Sequence, residues 1–129
     1  MQRNRLTTRT MAMLLLPGLL AAGLARAGTL YWDGANTNDA NNISSGTGLG
    51  GAGNWDTSAS TWWPGSGANA AWVNGNNDPA VFWGPTAGTV TLTAPITVGG
   101  VAFNTTDYLL DASANALTFG AAANTIALN

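Results

Sequence analysis

The sequence predicts an all-β chain built as a parallel β-solenoid with a Trp-rich N-terminal cap. Three observations carry that expectation. First, residues 89–129 repeat a short apolar pattern: Thr-Val-Thr-Leu from Thr89, Asp-Tyr-Leu-Leu from Asp107 and Thr-Ile-Ala-Leu from Thr125, spaced at 18 residues. A fixed period of this size suits one coil that buries its apolar face only by stacking on the next. That register puts Val90, Tyr108 and Ile126 in one column and Leu92, Leu110 and Leu128 in another. Second, Lys and Glu are absent and Gly, Asn, Thr, Ser and Ala dominate, a mixture that favours turns and strands over helix. Third, no window after residue 27 sustains a 3.6-residue apolar period. An antiparallel β-sandwich, which also uses short strands and Gly-rich turns, is the alternative fold.

Residues 1–27 read as a Sec-type signal peptide. Arg3, Arg5 and Arg9 supply the positive start, Met11–Leu24 the apolar run, and Ala25-Arg26-Ala27 a small-x-small site with cleavage after Ala27. The apolar run is short for a membrane span. The mature chain is therefore expected to begin at Gly28, to be secreted or held at the cell surface, and to make no membrane insertion of its own. Residues 28–88 form the lead-in. A strand is expected at Thr29–Asp33, then a long polar loop over Gly34–Gly53. Further strands are expected at Ala71–Val73 and Pro79–Trp83, with the tight turn Asn74–Asp78 between them, because Asn-Gly tolerates positive φ. All six Trp lie between Trp32 and Trp83, and none in the regular stretch 89–129. Large aromatics suit the closing of a solenoid's first coil, whose edges and apolar rungs are otherwise open.

Charge narrows the function. All four basic residues precede residue 28, so the remainder carries six Asp and no Lys, Arg or His. Such a chain does not attract nucleic acid or anionic lipid, which need cations to neutralise phosphate. With no His and no Cys, Ser–His–Asp catalysis and thiolate metal sites are excluded. Asp33, Asp56 and Asp78 are the carboxylates that could act on a glycosidic bond. Each sits in a turn context where Asp bonds its own backbone, which favours a structural role. The oxygen-rich runs Asp33–Asn42 and Asn74–Asp78 match no calcium-loop pattern. No catalytic residue, cofactor or metal ligand is assigned. Trp62 and Trp63 are the candidates for stacking on a glycan, against a packing role for most of the Trp set. On a strand, only one of that pair can face a given surface.

The segments TLYWDG, GAGNWDTSASTWW, AWVNGNNDPAVFWG, GTVTLTAPITVGGVAFNTTDYLLD and ALTFG resemble the N-terminal region of bacterial autotransporter-associated β-strand repeat proteins. The resemblance covers nearly all of residues 28–129. It implies a right-handed parallel β-helix and an exported, non-enzymatic, adhesin-like surface module associated with the outer membrane. It also implies a glycan or other cell-surface ligand. The family's own Gly/Leu/Asn repeat is missing, and residues 89–129 hold about two coils. The stack is therefore expected to be the truncated front end of a longer design, with an open edge that invites edge-to-edge self-association. Polysaccharide binding by a secreted β-helix, with cleavage as its less favoured form, is the alternative function.

Overall fold

The computed structural model describes residues 27–35, 40–120 and 125–129. The signal-peptide stretch 1–26 and part of the Asp33–Asn42 run (36–39) lie outside them. The described chain is all-β. Its strands are β1 (Leu30–Trp32), β2 (Gly53–Trp55), β3 (Trp62–Trp63), β4 (Pro79–Phe82), β5 (Thr89–Leu92), β6 (Ile96–Val98), β7 (Gly100–Phe103), β8 (Leu109–Asp111), β9 (Leu117–Phe119) and β10 (Ile126–Leu128). The one helical element among them is a 3-10 turn at Asn74–Asn76.

These strands make three sheets, ordered β10-β7-β4-β1-β3, β2-β5-β8 and β6-β9. Every ladder is parallel except β1–β3, so the first sheet is mixed. The chain visits the sheets in a recurring order. Strands β4, β5 and β6 lie in the first, second and third sheet; β7, β8 and β9 repeat that circuit; β10 returns to the first. Parallel pairing of this kind is at odds with an antiparallel sandwich, in which neighbouring strands run in opposite directions.

The 18-residue register does not hold. Val90 pairs with Leu110, 20 residues on, and Ile96 with Leu117, 21 on. Pro79 pairs with Gly100, also 21 on, and Val101 with Ile126, 25 on. Tyr108 is the cause of the discrepancy. Asp107 adopts a left-handed conformation (φ 70°), and the strand begins only at Leu109. Tyr108 is thus a corner residue, its ring 5.3 Å from Phe82 and 6.3 Å from Phe103. Ile126 and Leu128 align with Val101 and Phe103 in the first sheet, not with the Leu110 column.

Two other expectations change. Ala71–Val73 is not a strand: Trp72 is buried, while Val73 is 51% exposed. The polar run before Trp55 ends in a short strand, β2, which its glycines hide from a propensity reading. The Asn74–Asp78 turn is present, closed by Asn77 in the left-handed region (φ 54°).

The core follows from alternation along short strands. In β4, β5 and β6 the residues Ala80, Phe82, Val90, Leu92, Ile96 and Val98 are buried. Successive circuits come close at their corners, where side chains do not fit. Gly84 (φ 130°) lies so near the Leu49 carbonyl that a Cβ would overlap it. Gly50 (φ 104°) meets the Thr86 carbonyl in the same way, and the two segments join through a parallel bridge at Gly50–Thr86.

Candidate functional site

The two ends of the stack differ. At the first end, Trp32, Trp55, Trp62 and Trp72 form one buried cluster with Phe82. Ring centroids lie 4.6 Å apart for Trp55–Trp62, 4.8 Å for Trp62–Trp72, 4.9 Å for Trp55–Trp72 and 5.2 Å for Trp32–Trp62. Most pairs are tilted or edge-on, the arrangement the ring quadrupole favours. Burying about 150–250 Å² per ring contributes roughly 4–6 kcal/mol each. That outweighs the ~1–3 kcal/mol for an unpaired buried donor, the situation of the Trp55 and Trp62 indole N–H groups among the described residues.

Two of the backbone edges at this end, those of β1 and β6, are occupied. Strand β3 runs antiparallel beside β1, pairing Tyr31 with Trp63 and Trp32 with Trp62. The third sheet is closed by side chains. Asn74 accepts from the Thr97 N–H (2.8 Å) and donates to the Pro95 carbonyl (3.0 Å), so its amide stands in for a peptide of a neighbouring strand. The Trp72 indole donates to the Thr97 carbonyl (3.1 Å). Segment 72–74 therefore covers the β6 edge without forming a strand. Covering an edge in this way blocks pairing with another chain.

The opposite end is lightly covered. Leu110, Leu117 and Phe119 are half-buried, while Leu109, Ile126 and Leu128 are 59%, 65% and 82% exposed. Here β8, β9 and β10 are each the last strand of their sheet. Leu109 donates to Gly88, Gly120 to Val98 and Asn129 to Phe103, all back toward the preceding circuit. By the alternation of a parallel ladder, the peptide groups of Leu110, Leu117, Phe119, Ile126 and Leu128 face the other way. The same five residues supply the apolar rung. A groove of about 180 Å³ lies beside it, lined by Phe103, Thr105, Thr106, Asp107, Tyr108 and Leu128. Burial pushes the Tyr108 hydroxyl up to about 12, and that hydroxyl donates to the Trp83 carbonyl at 3.2 Å. The Asn129 amide donates to the Asn104 side-chain oxygen (2.7 Å), continuing the alignment of β10 on β7 at the surface.

The candidate carboxylates are not brought together. Among the described residues no three His, Cys, Asp or Glu side chains share a position suited to a metal ion. Asp33 is fully buried and accepts from Asn41 (3.0 Å) and Asn69 (2.8 Å). Asp78 is 5% exposed and accepts from the Gly28 N–H (2.8 Å) and from Asn76 (3.3 Å). Each of the two thus takes one bond from a distant part of the chain, Asn69 on Asp33 and Gly28 on Asp78. Asp56 does fit the turn expectation: it accepts from the Ser58 and Ala59 N–H groups (2.7 Å each), and these hold its carboxyl below the usual range.

Trp62 and Trp63 point to different neighbours, as alternation requires. Trp62, with no exposed surface, faces the aromatic cluster. Trp63 is 7% exposed, lies 6.0 Å from Tyr31 and donates to the Gly67 carbonyl. Stacking on a sugar needs an open ring face, and burial leaves Trp62 none. The residues that distinguish the two ends, Asn74 and the Leu117/Phe119 pair, carry no motif and are found only through the register.

No protein-family model and no solved structure matches the chain. The chain is similar to the adhesin BmaC autotransporter of Brucella suis biovar 1 (strain 1330), with 45% identity over 123 residues. That match takes in 92% of this chain and 3% of the length of the adhesin. By sequence, the chain carries an autotransporter passenger-like region.

Proposed function

We propose that this chain is the capped start of an exported, non-enzymatic, adhesin-like surface module whose strands wind as a right-handed parallel β-helix. One observation carries the reading: the stack is closed at its Trp-rich end and presents apolar rungs and strand edges at the other. The recurring circuit through three sheets supports the β-helix, and the similarity to part of an autotransporter adhesin supports surface display. Residues 1–27 serve as the export signal, 28–88 as the cap and 89–129 as the first coils. Strand β4 hands the cap over to the coils, since it pairs with both β1 and β7. The open end receives further coils of the same design, and the assembled surface meets a cell-surface ligand.

The test is deletion of residues 28–88 in bacteria that display the protein, read by surface protease resistance and by adherence to cultured cells. Loss of both is expected, because the first coil loses its cover. Unchanged resistance and adherence would sink the proposal.

A further inference from the structure

Gly28 and Asp78 meet across 50 residues of sequence. The Gly28 nitrogen donates to Asp78 Oδ1 at 2.8 Å, and Asp78 is 5% exposed. Asn76 donates to its other oxygen. A buried carboxylate is costly unless a cation or strong donors compensate it. No side chain beyond residue 26 is cationic. The segments against Asp78 are Gly28–Leu30, Asn74–Asn77 and the Gly99–Val101 stretch, whose Gly99 N–H donates to the Asp78 carbonyl. None of them holds another titratable side chain.

We infer that Ala27–Gly28 is the processing bond and that the α-ammonium it releases becomes the ion-pair partner of Asp78. This rests on the export reading above. The agent is an endopeptidase of the kind that recognises small-x-small sites. Ala27 and Gly28 are both exposed, so the bond is open to it. Hydrolysis breaks the amide bond and adds one water. The hydroxyl goes to the Ala27 carbonyl, which leaves as a carboxylate. The Gly28 nitrogen gains one proton from water and one from the new acid, and becomes –NH3+. An amide N–H on Asp78 is thereby exchanged for a charge-assisted bond. The same cut removes all four arginines and leaves that ammonium as the one cation of residues 28–129. Processing thus completes the fold at the root of β1 and β4, and a chain cut elsewhere places its amine off the carboxylate.

An amine that gains a carboxylate partner has a raised folded-state pKa. Its stabilisation is full below the unfolded value of about 7.7–8.0 and is lost as pH rises through the folded value. The test compares four purified chains: one starting at Gly28, the same chain N-acetylated, and the Asp78→Asn variant in both forms. Acetylation keeps one N–H donor, like the amide before cleavage, and removes the charge. At about pH 6.5 the free-amine chain should melt about 4–8 °C above the acetylated one, and the gap should shrink by about pH 9.5. Asp78→Asn should abolish the gap at both pH values. Equal melting of the free and acetylated chains, or a gap that persists in Asp78→Asn, would overturn the pair. Mass measurement of the exported chain is the separate arm. A mature start at Gly28 supports the assignment, and a processed start elsewhere contradicts it. A chain that is never exported defeats the export reading, while the melting comparison still decides the pair.

Discussion

Most of the Trp cluster and the rung Leu110/Leu117/Phe119/Ile126/Leu128 are made by the same rule, apolar residues alternating along very short strands, yet the cluster is buried and the rung is half-buried to exposed. Trp32, Trp55, Trp62 and Phe82 have no exposed surface, whereas Leu128 keeps 82% of its own. Composition does not explain the difference, because both sets are strongly apolar. Position in the stack does. A strand three residues long fixes little apolar area by itself, and its stability comes from the circuits on either side. The cap has a circuit on one side and aromatic bulk with occupied edges on the other. Among the described residues the far rung has a neighbour on one side only.

That contrast can be broken first at its strongest point. Trp62→Ala removes a ring in contact with Trp32, Trp55, Trp72 and Phe82. It should cost about 3–5 kcal/mol, read as a drop in the denaturant midpoint. A change under about 1 kcal/mol would mean the cap is not the root of the stack.

Asn74→Ala probes the closed edge. It leaves the Thr97 N–H and the Pro95 carbonyl without the side chain that bonds them, at a cost of about 0.5–1.5 kcal/mol. Concentration-dependent association should appear in sedimentation, since an edge has been uncovered. A variant that stays as stable and as monodisperse as its parent contradicts the role given to Asn74.

Tyr108 links the two regions, its ring against Phe82 and Phe103 and its hydroxyl on Trp83. Its ionisation lies at about 12 in the folded chain against 10.0 ordinarily. The folded state therefore holds that proton more tightly than the unfolded state, and stability falls as pH rises from 10 toward 12. Thermal melts over that range should show the loss, and Tyr108→Phe should reduce it. An identical alkaline loss in Tyr108→Phe would assign it elsewhere. The smallest effect is expected from Leu128→Ala, less than about 0.5 kcal/mol in the same denaturation experiment, because the side chain is already mostly in water.

Much of this was readable in the sequence. β1, β4, β5 and β10 fall where alternation and turn residues put them, and four of the six Trp gather in one buried cluster. The period was misread because a strand pattern records what alternates, not where a corner ends. Tyr108 looks like a strand residue and is a corner, so the count came out at 18 instead of 20 or 21. Asn74 was legible as a turn but not as an edge cover, since its partners Pro95 and Thr97 lie more than twenty residues away. Asp33 and Asp78 have the local context of ordinary turn acids. The sequence-distant partners, Asn69 on Asp33 and Gly28 on Asp78, are not visible in that local context.

The stack we propose is closed at one end and open at the other. Residue-resolved amide hydrogen exchange on the chain from Gly28 tests it most directly. Buried strand amides of β4, β5 and β6, together with Thr97 under the Asn74 side chain, should exchange slowest. Those of Leu110, Leu117, Phe119, Ile126 and Leu128 should exchange faster by about tenfold or more. Uniform protection along the chain, or slower exchange at β10 than at β4, would contradict the account.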